Sequence, residues 1–206
     1  SKSSVTMRRA LDAILATQKE SGEFGPDHPR HLHPAILPTQ RPLLARTRGK
    51  DLWAHSLALN TAQALHEATG DARLLPFMTR YFRWLEKLLP EEFPDDRWNT
   101  TSGMTNLLQG AHWLYERTGE DWLIKVAAKI HANAKPVSNG HAISITHSFR
   151  EPAQFSAQSR DPEDLKRSAR FYEEVFGTWG QFPGGAIGGD EWIRPGLTDP
   201  RQGIES

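Results

Sequence analysis

Between residues 50 and 180 the chain repeats one plan: an apolar run at helical spacing, a short polar turn, then a second apolar run. Leu52, Trp53, Leu57, Leu59, Ala64 and Leu65 form a face that stops at Thr69-Gly70-Asp71. Leu74, Leu75, Met78, Tyr81, Phe82, Leu85, Leu88 and Leu89 form the next. Separations of three and four residues put such side chains on one side of a helix. The glycine reads as the end of the first helix and the aspartate as the cap of the second. Met104, Leu107, Leu108, Ala111, Leu114 and Tyr115 repeat the plan up to Thr118-Gly119-Glu120, and Trp122, Leu123, Val126, Ala127 and Ile130 follow. A third copy runs from Ala142, Ile145, Phe149 and Phe155 through Ser159-Arg160-Asp161-Pro162 to Leu165, Ala169, Tyr172 and Phe176, with Pro162 placed for the first position of its helix.

Thr69, Thr118 and Ser159 mark intervals of 49 and 41 residues. Helical hairpins recurring at that interval predict an all-α solenoid or a closed (α/α) toroid, because one hairpin cannot bury its apolar face alone. The connections favour the toroid. Short caps alternate with long stretches rich in Pro, Gly, Trp and His, namely 90–102, 135–140 and 180–206. One rim is then plain and the other carries loops set on rigid helices, the arrangement expected of a single functional face. A ring of six hairpins needs roughly 350 residues at this interval. About seven helices are readable, so residues 1–206 are expected to be the N-terminal part of such a catalytic domain.

Outside the hairpins, Met7, Ala10, Leu11, Ile14 and Leu15 predict a helix over 4–19, with a serine as its cap. Residues 21–47 hold five prolines and no periodicity and are read as irregular. His28, His31 and His33 in that run suit a surface or rim loop better than a three-histidine metal site. His55, His66, His112 and His131 lie on helices and are read as structural or exposed.

The formal charge is zero, from 25 basic and 25 acidic residues, which disfavours a polyanionic partner such as nucleic acid. No apolar run approaches the roughly 20 residues a bilayer crossing needs. Ser1-Lys2-Ser3-Ser4 lacks the apolar block of a secretory signal, so the chain is expected to be mature or cytoplasmic. The absence of cysteine removes thiolate nucleophiles and cysteine zinc ligands from these residues.

Near the C-terminus Gly184, Gly185, Gly188 and Gly189 fall within six residues, a loop that lets backbone approach a ligand closely. Glu191 and Glu205 follow, 14 residues apart, with Trp192, Arg194 and Arg201 around them. That mixture suits a polyhydroxylated ligand better than an apolar one. Trp98, Trp179 and Trp192 are candidates for stacking on sugar faces, Trp192 above the others because it adjoins Glu191.

Three passages carry a resemblance. They are Trp113-Leu114-Tyr115-Glu116-Arg117-Thr118-Gly119-Glu120, Gly140-His141-Ala142-Ile143 leading into Phe149-Arg150-Glu151-Pro152-Ala153, and Gly180-Gln181-Phe182-Pro183-Gly184-Gly185 running to Gly203-Ile204-Glu205-Ser206. From about Lys50 onward the chain resembles the β-L-arabinofuranosidases of glycoside hydrolase family 127 and related families. The last passage is the most specific. The resemblance implies a glycosidase that releases a terminal furanoside such as β-L-arabinofuranose with retention. It implies Glu191 as general acid/base, His141 as a lining of the sugar pocket with Trp192 and Arg194 as further substrate contacts, and Glu205 as a ligand of zinc. In that family the remaining zinc ligands are cysteines and a zinc-bound thiolate is the nucleophile, whereas no cysteine occurs in residues 1–206. A carbohydrate is the expected partner. The alternatives are another toroid sugar enzyme, an epimerase or an unsaturated uronide hydrolase working with histidine or aspartate pairs, and a helical binding module without catalysis. For Glu191 the plain alternative is a surface carboxylate paired with Arg194 or Arg201.

Overall fold

The computed structural model describes residues 2–25, 50–138, 140–180, 189–190 and 192–193. Seven α-helices occur among the described residues: α1 (Lys2–Ala16), α2 (Leu52–Thr69), α3 (Leu74–Lys87), α4 (Met104–Thr118), α5 (Trp122–Asn133), α6 (Ala142–Ser159) and α7 (Pro162–Trp179). The fold is all-α. Beside the helices there is a two-residue antiparallel ladder, β1 (Gly189–Asp190) on β2 (Trp192–Ile193).

The hairpin turns follow the local chemistry. Asp51 accepts a hydrogen bond from the Ala54 N–H at 3.1 Å and starts α2. Gly70 and Gly119 end α2 and α4 in the left-handed region, at φ 65° and 68°. Arg160 takes the same role after α6 at φ 55°, without being glycine. Asp161 caps α7 through the Glu163 N–H, and Pro162 occupies the first turn. The expected aspartate cap of α3 is corrected: Arg73 is the N-cap residue and makes no side-chain cap. Asp71 instead accepts from the Arg73 N–H and holds its guanidinium. The first helix also lies earlier than expected, spanning Lys2–Ala16, and the chain then turns with the Lys19 N–H donating to the Glu23 carbonyl.

α2 packs on α4 and α4 on α6, while α3 packs on α5, so alternate helices form two layers. Between the layers Leu52, Leu59, Phe77, Met78, Tyr81, Phe82, Leu85, Leu107, Leu108, Leu114, Leu123, Val126 and Ile130 form one continuous buried core. Burial of this apolar area is the main favourable contribution to the fold. After α1 the chain turns at Gly22, φ 100°, where a Cβ would lie 2.1 Å from the Arg80 carbonyl oxygen, so no other residue fits without a shift. That turn drives Phe24 into an aromatic cluster with His55, Phe77 and Tyr81.

Two expectations about faces need correction. Trp53 and Leu57, assigned to the apolar face of α2, are 37% and 46% exposed, and Leu165 and Tyr172 on α7 are 55% and 51% exposed. These positions keep the helical period but stay open to solvent, with Trp53 meeting Trp98 and Tyr172 meeting Phe149 and Phe176 on one side. The stretch 90–102, expected as a rim loop, contains a 3-10 turn at Pro90–Glu92 and a π-helical turn at Asn99–Gly103 whose residues are all buried. No described helix is long and apolar enough to cross a membrane.

Candidate functional site

The π-turn Asn99–Gly103 is the organising element of the long-connection rim. It enters α4 directly, and π-turns inside helices often accompany functional sites because they displace backbone groups from the regular ladder. The Thr100 carbonyl shows this displacement by accepting a bond from the Lys135 N–H at 2.9 Å. Buried polar residues hold the turn. Asp96 accepts from the Asn99 side-chain amide at 2.6 Å and from the Asn99 N–H at 3.2 Å. The oxygen of the same Asn99 amide accepts from the Trp53 N–H at 2.9 Å. One buried carboxylate thereby orients an asparagine, which fixes the start of α2. The fit is close, since a Cβ on Gly103 would stand 3.2 Å from the Trp53 nitrogen.

This arrangement lines up three rings. Trp53 and Trp98 lie 5.9 Å apart with their planes tilted by 31°, and Trp98 meets the His141 ring edge-on at 4.6 Å. Trp53 is partly exposed and His141 is buried at 7%. His141 reaches Trp98 because Gly140 adopts φ 96° and, lacking a side chain, lets the Arg97 guanidinium lie where a Cβ would be 1.8 Å from its Nη1. An aromatic platform beside polar groups matches a sugar ring, whose C–H face is apolar and whose edge carries hydroxyls.

On the other side of the π-turn, α6 offers a polar seam to α4. His147 Nδ1 lies 2.8 Å from the Ser102 hydroxyl, and Thr105 donates to the His147 carbonyl at 3.3 Å. One turn on, Arg150 donates through Nη2 to the Asn106 side-chain oxygen at 2.7 Å. Near the helix ends His112 pairs with Gln158 at 3.0 Å. Burial pushes the His147 imidazole down to about 4, aided by the Arg150 charge, so the ring is neutral at physiological pH. His55 is also pushed down to about 4, mainly by burial, within the aromatic cluster of the core.

Glu151 turns toward α5. It is 1% exposed, its Oε1 lies 2.7 Å from His131 Nδ1, and burial raises its carboxyl above the ordinary value of 4.5. The His131 ring stacks on Phe155 at 3.8 Å. The pair ties α5 to α6, with the buried Ser144 and Ser148 on the same side of α6.

Of the residues proposed from the sequence, His141 and Trp98 fall in this site. Trp179 packs beside Ala142, Ile145 and Val175 instead. Trp192 pairs by its backbone with Asp190 across the short ladder. Glu191, Arg194 and Glu205, with the side chain of Trp192, lie outside the described residues, as do His28, His31 and His33. Sequence reasoning missed Trp53, Asp96, Asn99, His147 and Arg150. The spacing of His147 and Arg150 on one helical face was a usable signal, but Asp96 and Asn99 carry none before the π-turn buries them.

No group of three or more His, Cys, Asp or Glu suited to a metal ion occurs among the described residues. With no cysteine in the chain, the donors present do not fit the implied cysteine-ligated zinc.

Residues 2–205 match the family model described as the β-L-arabinofuranosidase, GH127 catalytic domain. No curated protein and no solved structure matches the chain.

Proposed function

The chain belongs to the family of β-L-arabinofuranosidase GH127 catalytic domains, a glycoside hydrolase family, and from that premise we propose that it hydrolyses a terminal furanoside such as β-L-arabinofuranose with retention of configuration. The match across residues 2–205 carries the reading. The Trp53, Trp98 and His141 platform supports it, because it supplies a stacking face and an imidazole edge on the rim where the hairpins place their long connections. We take the hairpins as part of an (α/α) toroid whose loop-bearing rim surrounds the substrate.

In this mechanism Glu191 is the general acid/base. Protonated, it gives its proton to the glycosidic oxygen as the bond to the anomeric carbon breaks, so the departing alcohol leaves neutral. In the second displacement the resulting carboxylate takes a proton from water as the water attacks the anomeric carbon and breaks that carbon's bond to the nucleophile of the first displacement. Retention requires two displacements and a nucleophile on the opposite ring face. The family resemblance alone makes Glu205 an oxygen ligand of zinc, and residues 1–206 supply no cysteine to complete such a site. Trp192 and Arg194 contact the sugar beside Glu191, and His141 donates to or accepts from a ring hydroxyl.

Glu191→Gln tests the assignment on an aryl and on an alkyl arabinofuranoside. The expected outcome is a loss of about 10²- to 10⁴-fold in kcat on the alkyl substrate, whose poor leaving group needs the proton, with an unchanged melting temperature. The aryl substrate should lose less in the first step. Full activity of the variant on both would remove Glu191 from catalysis.

A further inference from the structure

The three rings of the rim form a series from buried to exposed. His141 is 7% exposed, Trp98 is half-buried and Trp53 is 37% exposed. Trp98 touches both of the others, His141 at 4.6 Å and Trp53 at 5.9 Å. One turn after Trp53, Leu57 is 46% exposed and continues the apolar surface along α2. The outermost ring has a rigid base. The Trp53 N–H donates to Asn99, and both oxygens of the buried Asp96 engage that same asparagine. The backbone at Trp53 lies so near Gly103 that a Cβ there would stand 3.2 Å from the Trp53 nitrogen. Burying a carboxylate costs free energy unless hydrogen bonds offset it. Here those bonds secure the start of a helix whose second residue presents an indole to solvent. A ring fixed before its ligand arrives loses little conformational freedom on binding.

We propose that Trp53 is a specificity-determining residue that stacks on a second sugar ring, the saccharide to which the terminal furanoside is joined; this deepens the glycosidase reading above and rests on it. With the furanoside at the buried His141 end, the leaving saccharide extends toward solvent past Trp98 and over Trp53. Its apolar C–H face matches the indole and Leu57, and its edge hydroxyls stay in water. The second sugar is neutral. Charged groups flanking Trp53 and Trp98 in the chain already have partners, since Lys50 meets Glu92 at 3.7 Å, Asp51 accepts from the Ala54 N–H and Asp96 is held by Asn99. The substrate class is therefore a furanoside carried on a neutral saccharide.

The test compares a β-L-arabinofuranosyl-arabinose disaccharide with methyl β-L-arabinofuranoside, which lacks the second ring, on the full-length protein. By calorimetry the disaccharide is expected to bind roughly 10-fold tighter, the scale of one aromatic stack with its buried area. Trp53→Ala should lower the disaccharide-to-methyl ratio of kcat/KM by a similar factor. The change should fall on KM more than on kcat, because a contact remote from the reacting bond is alike in ground and transition states. Trp53→Phe, which keeps a smaller aromatic face, should lie between. Equal binding of the two compounds by the unmodified protein, or an unchanged ratio in Trp53→Ala, would overturn the proposal. So would an equal loss on both compounds accompanied by a lower melting temperature, which would make Trp53 a structural residue. If Trp53→Ala does not fold, the unmodified protein and Trp53→Phe decide the matter. Failure to hydrolyse either compound would end the glycosidase reading, whereas the calorimetric comparison needs no turnover and still judges the second-sugar site.

Discussion

Leu107, Leu108, Leu114, Leu123, Val126 and Ile130 close α4 against α5 at 0–1% exposure, whereas the next hairpin, α6–α7, buries only Ala142, Ile145 and Val175 as its apolar cluster. Across the second hairpin the contacts of Phe149 with Tyr172 and Phe176 are joined by polar ones. Pro152 interrupts α6, and the Ser168 hydroxyl of α7 fills the gap by accepting from the Ala153 N–H at 2.9 Å and donating to the Phe149 carbonyl. The Ser159 hydroxyl donates to Asp164 across the turn, while Glu151 with His131 ties α6 back to α5. The two hairpins share a plan and differ in what secures it. Apolar packing is indifferent to pH and direction, while polar contacts depend on geometry and protonation. The apolar hairpin is thus the frame, and the second hairpin depends more on the geometry of its polar contacts.

That comparison can be broken most directly at Leu108. Leu108→Ala leaves a cavity in the frame and is expected to cost about 2 to 5 kcal/mol, equally at pH 5 and pH 8, in denaturant unfolding. A smaller loss, or a strong pH dependence, would show that the frame is not secured by packing alone.

Ser168→Ala removes the hydroxyl that bridges the α6 interruption and strands a backbone donor and acceptor. The expected cost is about 1 to 3 kcal/mol. Hydrogen exchange should show faster exchange confined to α6 near Ala153, with α4 and α5 unaffected. Acceleration spread evenly over all the helices would erase the distinction between the hairpins.

The smallest expected effect lies at Glu151. A carboxyl raised by the fold is favoured in its protonated form, so its stabilising contribution is complete below about 4.5 and is lost as pH rises through the higher folded value. Glu151→Gln keeps an acceptor for His131 and has no charge to bury. Its melting temperature should match that of the unmodified protein at acid pH and exceed it by a few degrees above the folded pKa. The opposite sign would mean that the ionised pair with His131 stabilises the hairpin.

The hairpins were readable because their signals are local. A three-to-four spacing of Leu, Met and Phe identifies a helix wherever it lies, and Gly70, Gly119 and Asp161-Pro162 mark ends through backbone preferences that need no partner. The period says which residues share a side but not what covers that side, so Trp53, Leu57 and Tyr172 were assigned to a core they do not enter. The family resemblance was readable for the same local reason, since Gly140-His141 and the glycine-rich C-terminal passage are contiguous in the chain.

The candidate site itself was mostly hidden. Residues 90–102 read as a long rim connection carrying Trp98, and only packing against α2 turns Asn99–Gly103 into a buried π-turn, held by Asp96, beside which Trp98 meets His141. His147 and Arg150 look like ordinary helical polar residues until the neighbouring helix brings Asn106, and the turn before it Ser102, against them. Local order follows from the chain because φ, ψ and side-chain spacing are properties of neighbours in sequence. The environment of a charge or a ring depends on groups tens of residues away, and only the folded arrangement brings those together.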